Sequence, residues 1–221
     1  MCGIGGLYNT EYTEADFNDL FWMIADRGLH AAGVAWLPRG ESKVQVQKAP
    51  KSSRYLVQRG IAKYVGTKNL YVMQHARYTT QGSTENNNNN HPILYDNIVL
   101  THNGVLDNDG EALRMLGRAR RHEVDTEAIA AALSVESVDW VYEHIEGSMA
   151  LAWVDRNEPE VVNLIRNERN PLHIARLDDG GVAWASRPYM LGMLGIAHSF
   201  EAQPYRLYRL HPDGTIETRD L

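Results

Sequence analysis

The 221 residues are 43% hydrophobic and 23% charged, ordinary globular usage that excludes a disordered or fibrous chain. The formal net charge of −6 argues against sequence-independent binding of nucleic acid, which needs a basic surface. A single cysteine, Cys2, excludes an intramolecular disulfide and a thiolate zinc site, and fits a reducing, cytoplasmic setting.

Along the chain, a first strand is expected over 4–8. Thr13-Glu14-Ala15-Asp16 reads as a capping box opening a helix to about Arg27, with Phe17, Leu20, Phe21 and Ile24 on one face. Strands follow over 31–37 and 43–48, then a helix capped by Ser52 or Ser53 and running to Lys63, then a strand over 69–75. Asn86-Asn87-Asn88-Asn89-Asn90 supplies no buried face and reads as a loop tip. A strand over 97–102 leads to helices from Asp109 to about Arg121, from Asp125 or Thr126 to Leu133, and from Ser137 to Ile145. Strands are expected over 148–155, 161–166, 172–176 and 182–186, a short helix over 187–194, and a hairpin over 205–219 turning at His211-Pro212-Asp213-Gly214. Strict β–α alternation is absent, so antiparallel sheets covered by helices, an α+β arrangement, fit better than a doubly wound parallel sheet. No linker divides the chain, which reads as one domain over 1–221. No apolar run approaches the ~20 residues of a spanning helix, and no secretory leader opens the chain, so no membrane partner is expected.

Cys2 directly follows the initiator Met. Removal of Met1 leaves the thiol and a free α-amine on one residue, and that amine, titrating near ~8, is a built-in base for a weak nucleophile. Gly3, Gly5 and Gly6 then let a substrate approach the backbone. The competing reading is a buried free cysteine. In Gln74-His75-Ala76-Arg77-Tyr78-Thr79-Thr80-Gln81-Gly82, Arg77 at a strand end either forks onto a substrate carboxylate or makes a surface salt bridge. In His102-Asn103-Gly104, Asn-Gly is first a turn signal; its functional reading is an oxyanion hole made of the Asn103 amide NH2 and the Gly104 N–H. Asp125 is either a helix cap or the acceptor of a substrate ammonium. A carboxylate clamp with an ammonium acceptor selects an α-amino acid, and a nucleophile with an oxyanion hole attacks an acyl carbon, here that of a side-chain amide.

Cys2-Gly3-Ile4-Gly5-Gly6, Arg27-Gly28 with Ala32-Gly33, the segment from His75 to Gly82, His91-Pro92, His102-Asn103-Gly104, Asp125-Thr126-Glu127, Gly147-Ser148-Met149-Ala150, and Asn170-Pro171-Leu172 with Ala185-Ser186 occur in that order. The series resembles the class II glutamine amidotransferase domain, an N-terminal-nucleophile hydrolase, as in the glutaminase domains of glucosamine-6-phosphate synthases and amidophosphoribosyltransferases. The resemblance implies a four-layer αββα sandwich of two antiparallel sheets. It implies Cys2 as nucleophile with its freed amine as base, and Asn103 and the Gly104 N–H as oxyanion hole. Arg77 would bind the glutamine α-carboxylate, with Thr80 and the Tyr78 backbone nearby, and Asp125 with the Gly104 carbonyl would bind the α-ammonium. Arg27, His75 and Gln81 are supporting residues, and neither metal nor cofactor is implied. Glucosamine-6-phosphate synthases carry Trp-Ala-Thr-His where this chain has Tyr78-Thr79-Thr80-Gln81, and amidophosphoribosyltransferases carry Arg-Asp-x-x-Gly-x-Arg-Pro-Leu where it has Arg166 to Leu172, so the motifs do not choose between subfamilies.

No phosphate-cradling glycine loop and no ATP pyrophosphatase signature occur in the 221 residues. The expectation is therefore a glutaminase subunit without a fused synthase domain. It would release glutamate and ammonia from L-glutamine through a cysteinyl thioester and pass the ammonia to a separate synthase partner. The rivals are a cysteine amidase acting on another amide and a catalytically idle glutamine-sensing module. The segment 82–91 reads either as an idle insertion or as a lid hinged at Gly82 and anchored by His91-Pro92.

Overall fold

A computed structural model describes residues 1–221. In chain order the elements are β1 (Gly3–Tyr8), α1 (Glu14–Ile24), β2 (Ala31–Pro38), β3 (Gln45–Ala49), α2 (Ser53–Gln58), α3 (Ile61–Val65), β4 (Asn69–Arg77), β5 (Ile93–Tyr95), β6 (Ile98–Leu106) and α4 (Asp109–Met115). They continue with α5 (Thr126–Leu133), α6 (Val138–His144), β7 (Gly147–Asp155), β8 (Val162–Arg166), β9 (His173–Arg176), β10 (Val182–Ala185), α7 (Pro188–Gly192), β11 (Phe200–Glu201), β12 (Arg206–Leu210) and β13 (Ile216–Asp220). One sheet runs β11-β9-β10-β1-β4-β2-β3 and the other β13-β12-β8-β7-β6-β5, with antiparallel neighbours throughout.

Side-chain alternation along the strands builds three apolar layers. Ile4 and Tyr8 of β1 meet Val99 of β6 and Ala150, Ala152 and Val154 of β7 between the sheets. Leu7 turns the other way, onto Phe17, Leu20, Phe21 and Ile24 of α1. Ile98 and Leu100 of β6 face the Ala-rich α5, where small side chains let helix and sheet approach closely. Helix, sheet, sheet, helix is the αββα order that the resemblance implied. No helix is long and apolar enough to cross a membrane.

The Thr13 capping box forms as expected, with the Thr13 side chain accepting from Asp16 N and the Asp16 side chain from Thr13 N. Five expectations need correction. The helix expected from Asp109 to about Arg121 ends at Met115. The helix expected from 52 to 63 is two helices, because Gly60 takes φ 76° and breaks the ladder. The strand expected to end at 102 runs to Leu106, so Asn103-Gly104 lies within β6 and makes no turn. There the β7 ladder, in register from Ile98↔Asp155 to Leu106↔Gly147, overrides the local turn signal. The short strands β5 and β11 were not foreseen; three and two residues are too few to show a period. Finally, the Asn run is not a bare loop tip. Asn89 and Asn90 are fully buried, and Asn86 caps a 3-10 turn over Asn87–Asn89 by accepting from Asn88 N. Asparagine side chains serve here as backbone substitutes, supplying the hydrogen bonds that an apolar segment could not.

Candidate active site

Strand parity decides which side chains share the space between the sheets. Gly3, Gly5 and Leu7 of β1 face α1, so Cys2 shares the inner side with Ile4. In the neighbouring β4, Met73, His75 and Arg77 take the inner side, while Gln74 turns outward to donate to Phe17 O (3.0 Å). Cys2 and Arg77 therefore lie at one end of the intersheet cleft.

Cys2 is buried, at 8% exposure, and the Tyr78 backbone clasps it: Tyr78 N donates to Sγ (3.4 Å) and Sγ–H donates to Tyr78 O (3.6 Å). Burial pushes the thiol up; the Tyr78 backbone, the chain's amino terminus and Arg77 pull it down, and Asp125 raises it further. The balance favours a neutral thiol over a standing thiolate. Arg27 Nε donates to Cys2 O (2.8 Å) and its Nη2 reaches Met1 Sδ (3.5 Å), so it holds the residue at its backbone. The start of β1 is fixed again by Ser186, whose Oγ accepts from Ile4 N (3.0 Å). The glycines do other work than expected. A β-carbon at Gly3 would collide with the Ile24 carbonyl, one at Gly5 would crowd Ile24 and Leu20, and one at Gly6 would overlap the Trp184 ring. They let α1 and β10 close on the strand rather than admit a substrate.

Arg77, 3% exposed, is held by the segment that follows it. Nη1 donates to Asn90 Oδ1 (2.7 Å), and Nη2 donates to the carbonyls of Gln81 and Gly82 (3.0 Å to the latter). A guanidinium has five N–H donors, so two remain for a ligand. Gln81 serves through its main chain; its side chain and that of Thr80 stay exposed, and Tyr78 turns its ring outward onto His30 (centroids 4.8 Å apart). A second cation was missed by the sequence reading. Lys48 of β3 lies against the side-chain-free face of Gly33, and burial, with the Arg77 charge, lowers its ammonium to about 8.

Asp125 precedes α5. Its Oδ1 accepts from Thr126 N (2.8 Å), and its Oδ2 reaches back to Leu106 N (2.9 Å) at the end of β6. It is a cap, and it also ties α5 to the strand carrying Asn103. Each carboxylate oxygen keeps acceptor capacity beyond these two bonds.

Asn103 is the least satisfied residue of the cleft. It is fully buried, and neither its Oδ1 nor its Nδ2 has a hydrogen-bond partner. Only its backbone is engaged, with O accepting from Asn170 Nδ2 (2.8 Å). Buried amides are normally paired, and an orphan of this kind marks a position made for a ligand. Along β6, successive N–H groups point to opposite edges. Val105 N donates to Ser148 Oγ toward β7 (3.1 Å) and Leu106 N to Asp125 away from it, so the Gly104 N–H points away from β7 too. On that side β5 pairs only with 98–100, which leaves the edge at Gly104 open. A β-carbon at Gly104 would strike Ser148 O and His102 Nε2.

Beneath these groups lie three buried histidines that the sequence marked only as motif members, apart from His75 as support. The rings of His75 and His91 stack at 4.0 Å and 15°. His75 Nε2 meets His102 O (3.0 Å), His102 Nε2 meets Ser148 O (3.1 Å), and His91 Nε2 and His102 Nδ1 both meet Thr126 Oγ1 (3.0 and 2.9 Å). Burial lowers all three, His75 to about 3, so the rings are neutral at ordinary pH.

The glutamine amidotransferase domain profile matches residues 75–192. Glutamine–fructose-6-phosphate aminotransferase (isomerizing) of Brucella abortus biovar 1 (strain 9-941) is 27% identical over 176 residues, covering 73% of this chain and 28% of that protein. Its counterpart in Clostridium acetobutylicum is 27% identical over 209 residues, covering 86% of this chain and 32% of that protein. The chain thus spans under a third of these curated relatives. Among solved structures, the glutamine phosphoribosylpyrophosphate amidotransferase from B. subtilis complexed with ADP and GMP superposes with TM-score 0.83 at 20% identity, over 99% of this chain and 49% of that one. A glutamine aminotransferase class-II domain protein from Silicibacter pomeroyi superposes with TM-score 0.60 at 16% identity, over 99% of both chains. With the profile spanning more than half of its residues and the αββα sandwich beneath them, the chain belongs to the glutamine amidotransferase family, as a class II domain of the N-terminal-nucleophile hydrolase fold.

Proposed function

We propose that the protein hydrolyses L-glutamine to glutamate and ammonia through a γ-glutamyl thioester at Cys2. Removal of Met1, 60% exposed here, frees the Cys2 amine. That amine takes the thiol proton as sulfur attacks the amide carbon of the substrate, and the oxygen becomes an oxyanion. The Asn103 amide and the Gly104 N–H hold that oxyanion; Arg77 takes the α-carboxylate and Asp125 the α-ammonium. The intermediate collapses as the amine returns its proton to the leaving nitrogen, releasing ammonia. Water, deprotonated by the same amine, then cleaves the thioester to glutamate. The observation that carries this reading is the fully buried Asn103 amide with neither end paired, on the strand whose His102 carbonyl is held from β4 by His75.

Ammonia set free in water is protonated and lost as a nucleophile, so we place a separate acceptor-modifying partner after this step. The names of the curated relatives, which describe amino transfer to fructose 6-phosphate, support a transfer role. The reading is tested by supplying Met1-free protein with a panel of amides and measuring glutamate and ammonia together. Equimolar release from L-glutamine, well above that from asparagine and simple acyl amides, is expected. Preferential cleavage of another amide, or no cleavage by protein shown to lack Met1, overturns it.

A further inference from the structure

The hydrogen order of the buried histidine cluster follows from its partners once the rings are neutral. Ser148 O is an acceptor, so His102 Nε2, 3.1 Å away, carries a hydrogen. In a neutral ring Nδ1 is then a lone pair, which must accept the Thr126 hydroxyl hydrogen at 2.9 Å. Having spent its one hydrogen, Thr126 Oγ1 accepts from His91 Nε2 at 3.0 Å, so His91 carries its hydrogen there. His75 Nε2 faces the His102 carbonyl and is likewise protonated. The Nδ1 atoms of His75 and His91, both without partners, are the bare lone pairs this order demands. Asp125 Oδ1 also lies near the hydroxyl, at the longer distance of 3.3 Å, and already accepts from Thr126 N.

This order bears on Gly104. The His102 ring occupies the space a side chain at position 104 would need, and its Nε2–H fixes Ser148 O, which lies against the same glycine. We infer that Thr126 is a positioning residue for the oxyanion donor: its hydroxyl pairs the buried Nδ1 of His102, holds the ring where its Nε2–H meets Ser148 O, and so seats the Gly104 peptide. Without the hydroxyl the buried Nδ1 of His102 is left without a partner, and the ring is no longer held from that side. A ring that turns loses its Nε2–H bond to the Ser148 carbonyl and shifts Gly104. The ammonium acceptor is spared, because Asp125 is held by the Thr126 and Leu106 backbone N–H groups, which a side-chain change leaves in place.

The inference rests on the proposed glutaminase reading, and its test separates the two. Thr126→Val, close in shape to threonine, is expected to lower kcat for glutamine about tenfold with KM changed less than about threefold, and Thr126→Ser to recover most of the loss. A merely structural role would lower stability without this split or this recovery. Independently, nitrogen NMR of unmodified histidine-labelled protein is expected to show neutral Nε2–H rings at His75, His91 and His102. Wild-type kcat in folded Thr126→Val overturns the inference, as does an Nδ1–H ring or an imidazolium at His102 at neutral pH. Failure of the unmodified protein to cleave glutamine refutes the glutaminase reading; the ring tautomers still decide the proton order.

Discussion

Lowering the pH should destabilise this protein in a window set by its histidines. In the unfolded chain His75, His91 and His102 bind protons near ~6.5, whereas burial keeps all three neutral in the fold, His75 down to about 3. The unfolded state therefore binds more protons, and stability rises with pH. The contribution is complete above the unfolded value of ~6.5 and is lost as pH falls toward the folded values. A group is worth up to about 1.4 kcal/mol per pH unit, so His75, lowered to about 3, removes about 2 kcal/mol between pH ~6.5 and ~5, and His91 and His102 act in the same direction. The His75 contribution alone is a sizeable share of the stability of about 5–15 kcal/mol of an ordinary domain. Carboxylates held low, such as Asp139 beside Arg219, lose their contribution only at more acid pH. Urea midpoints measured across this range should fall below pH ~6.5 with little change in slope m, and His75→Gln should flatten that fall, removing its share of about 2 kcal/mol. A midpoint unchanged from pH ~7 to ~5, or a His75 titrating near ~6.5 in the folded protein, would refute the reasoning.

Further outcomes follow from the cleft. Asn103→Ala should lower kcat by about 10²–10³ with little change in KM, as loss of one oxyanion donor does, in steady-state glutaminase assays. Arg77→Ala and Asp125→Ala should chiefly raise KM, each costing about 2–5 kcal/mol of binding because a substrate charge is left unpaired. Asp125→Ala should also lower the unfolding free energy by about 1–3 kcal/mol, read as a lower urea midpoint, since the Leu106 and Thr126 N–H groups lose their acceptor. In the segment 82–91, Asn90→Ala should raise KM through Arg77, and a glutamine analogue should slow proteolysis between Gly82 and Asn88. Equal cleavage with and without analogue, and an unchanged KM, would leave the segment a packed insertion only.

The strands with clear apolar runs were legible in the sequence because burial on both faces writes a continuous signal, as in 31–37 and 148–155. What was not legible came from long-range pairing. Asn103-Gly104 carries the local signature of a turn, and only the β7 ladder makes it strand. The Asn run carries the signature of solvent, and only Arg77 and Glu123 make two of its members core. Cys2, Arg77, Asn103 and Asp125 stood out by chemistry and order, and the fold places them at one end of the cleft or on the elements bordering it. The histidine cluster stayed hidden because its partners come from β4, β6, β7, the segment before β5 and the start of α5, a spacing with no period. Asn170 and Ser186 were visible as motif members without a task; in the fold one holds the Asn103 carbonyl and the other the first residues of β1.

The central claim, that Cys2 with its own amine attacks glutamine, is tested most directly by a diazo-ketone analogue of glutamine followed by intact-mass and peptide analysis. Cys2 is the single thiol of the chain, so any adduct on sulfur has one address. The account predicts one adduct, on a Cys2 that has become the first residue, with glutaminase activity lost in step with labelling and L-glutamine protecting. Full activity in protein whose Cys2 is stoichiometrically modified, or turnover by chains that retain Met1, would contradict it.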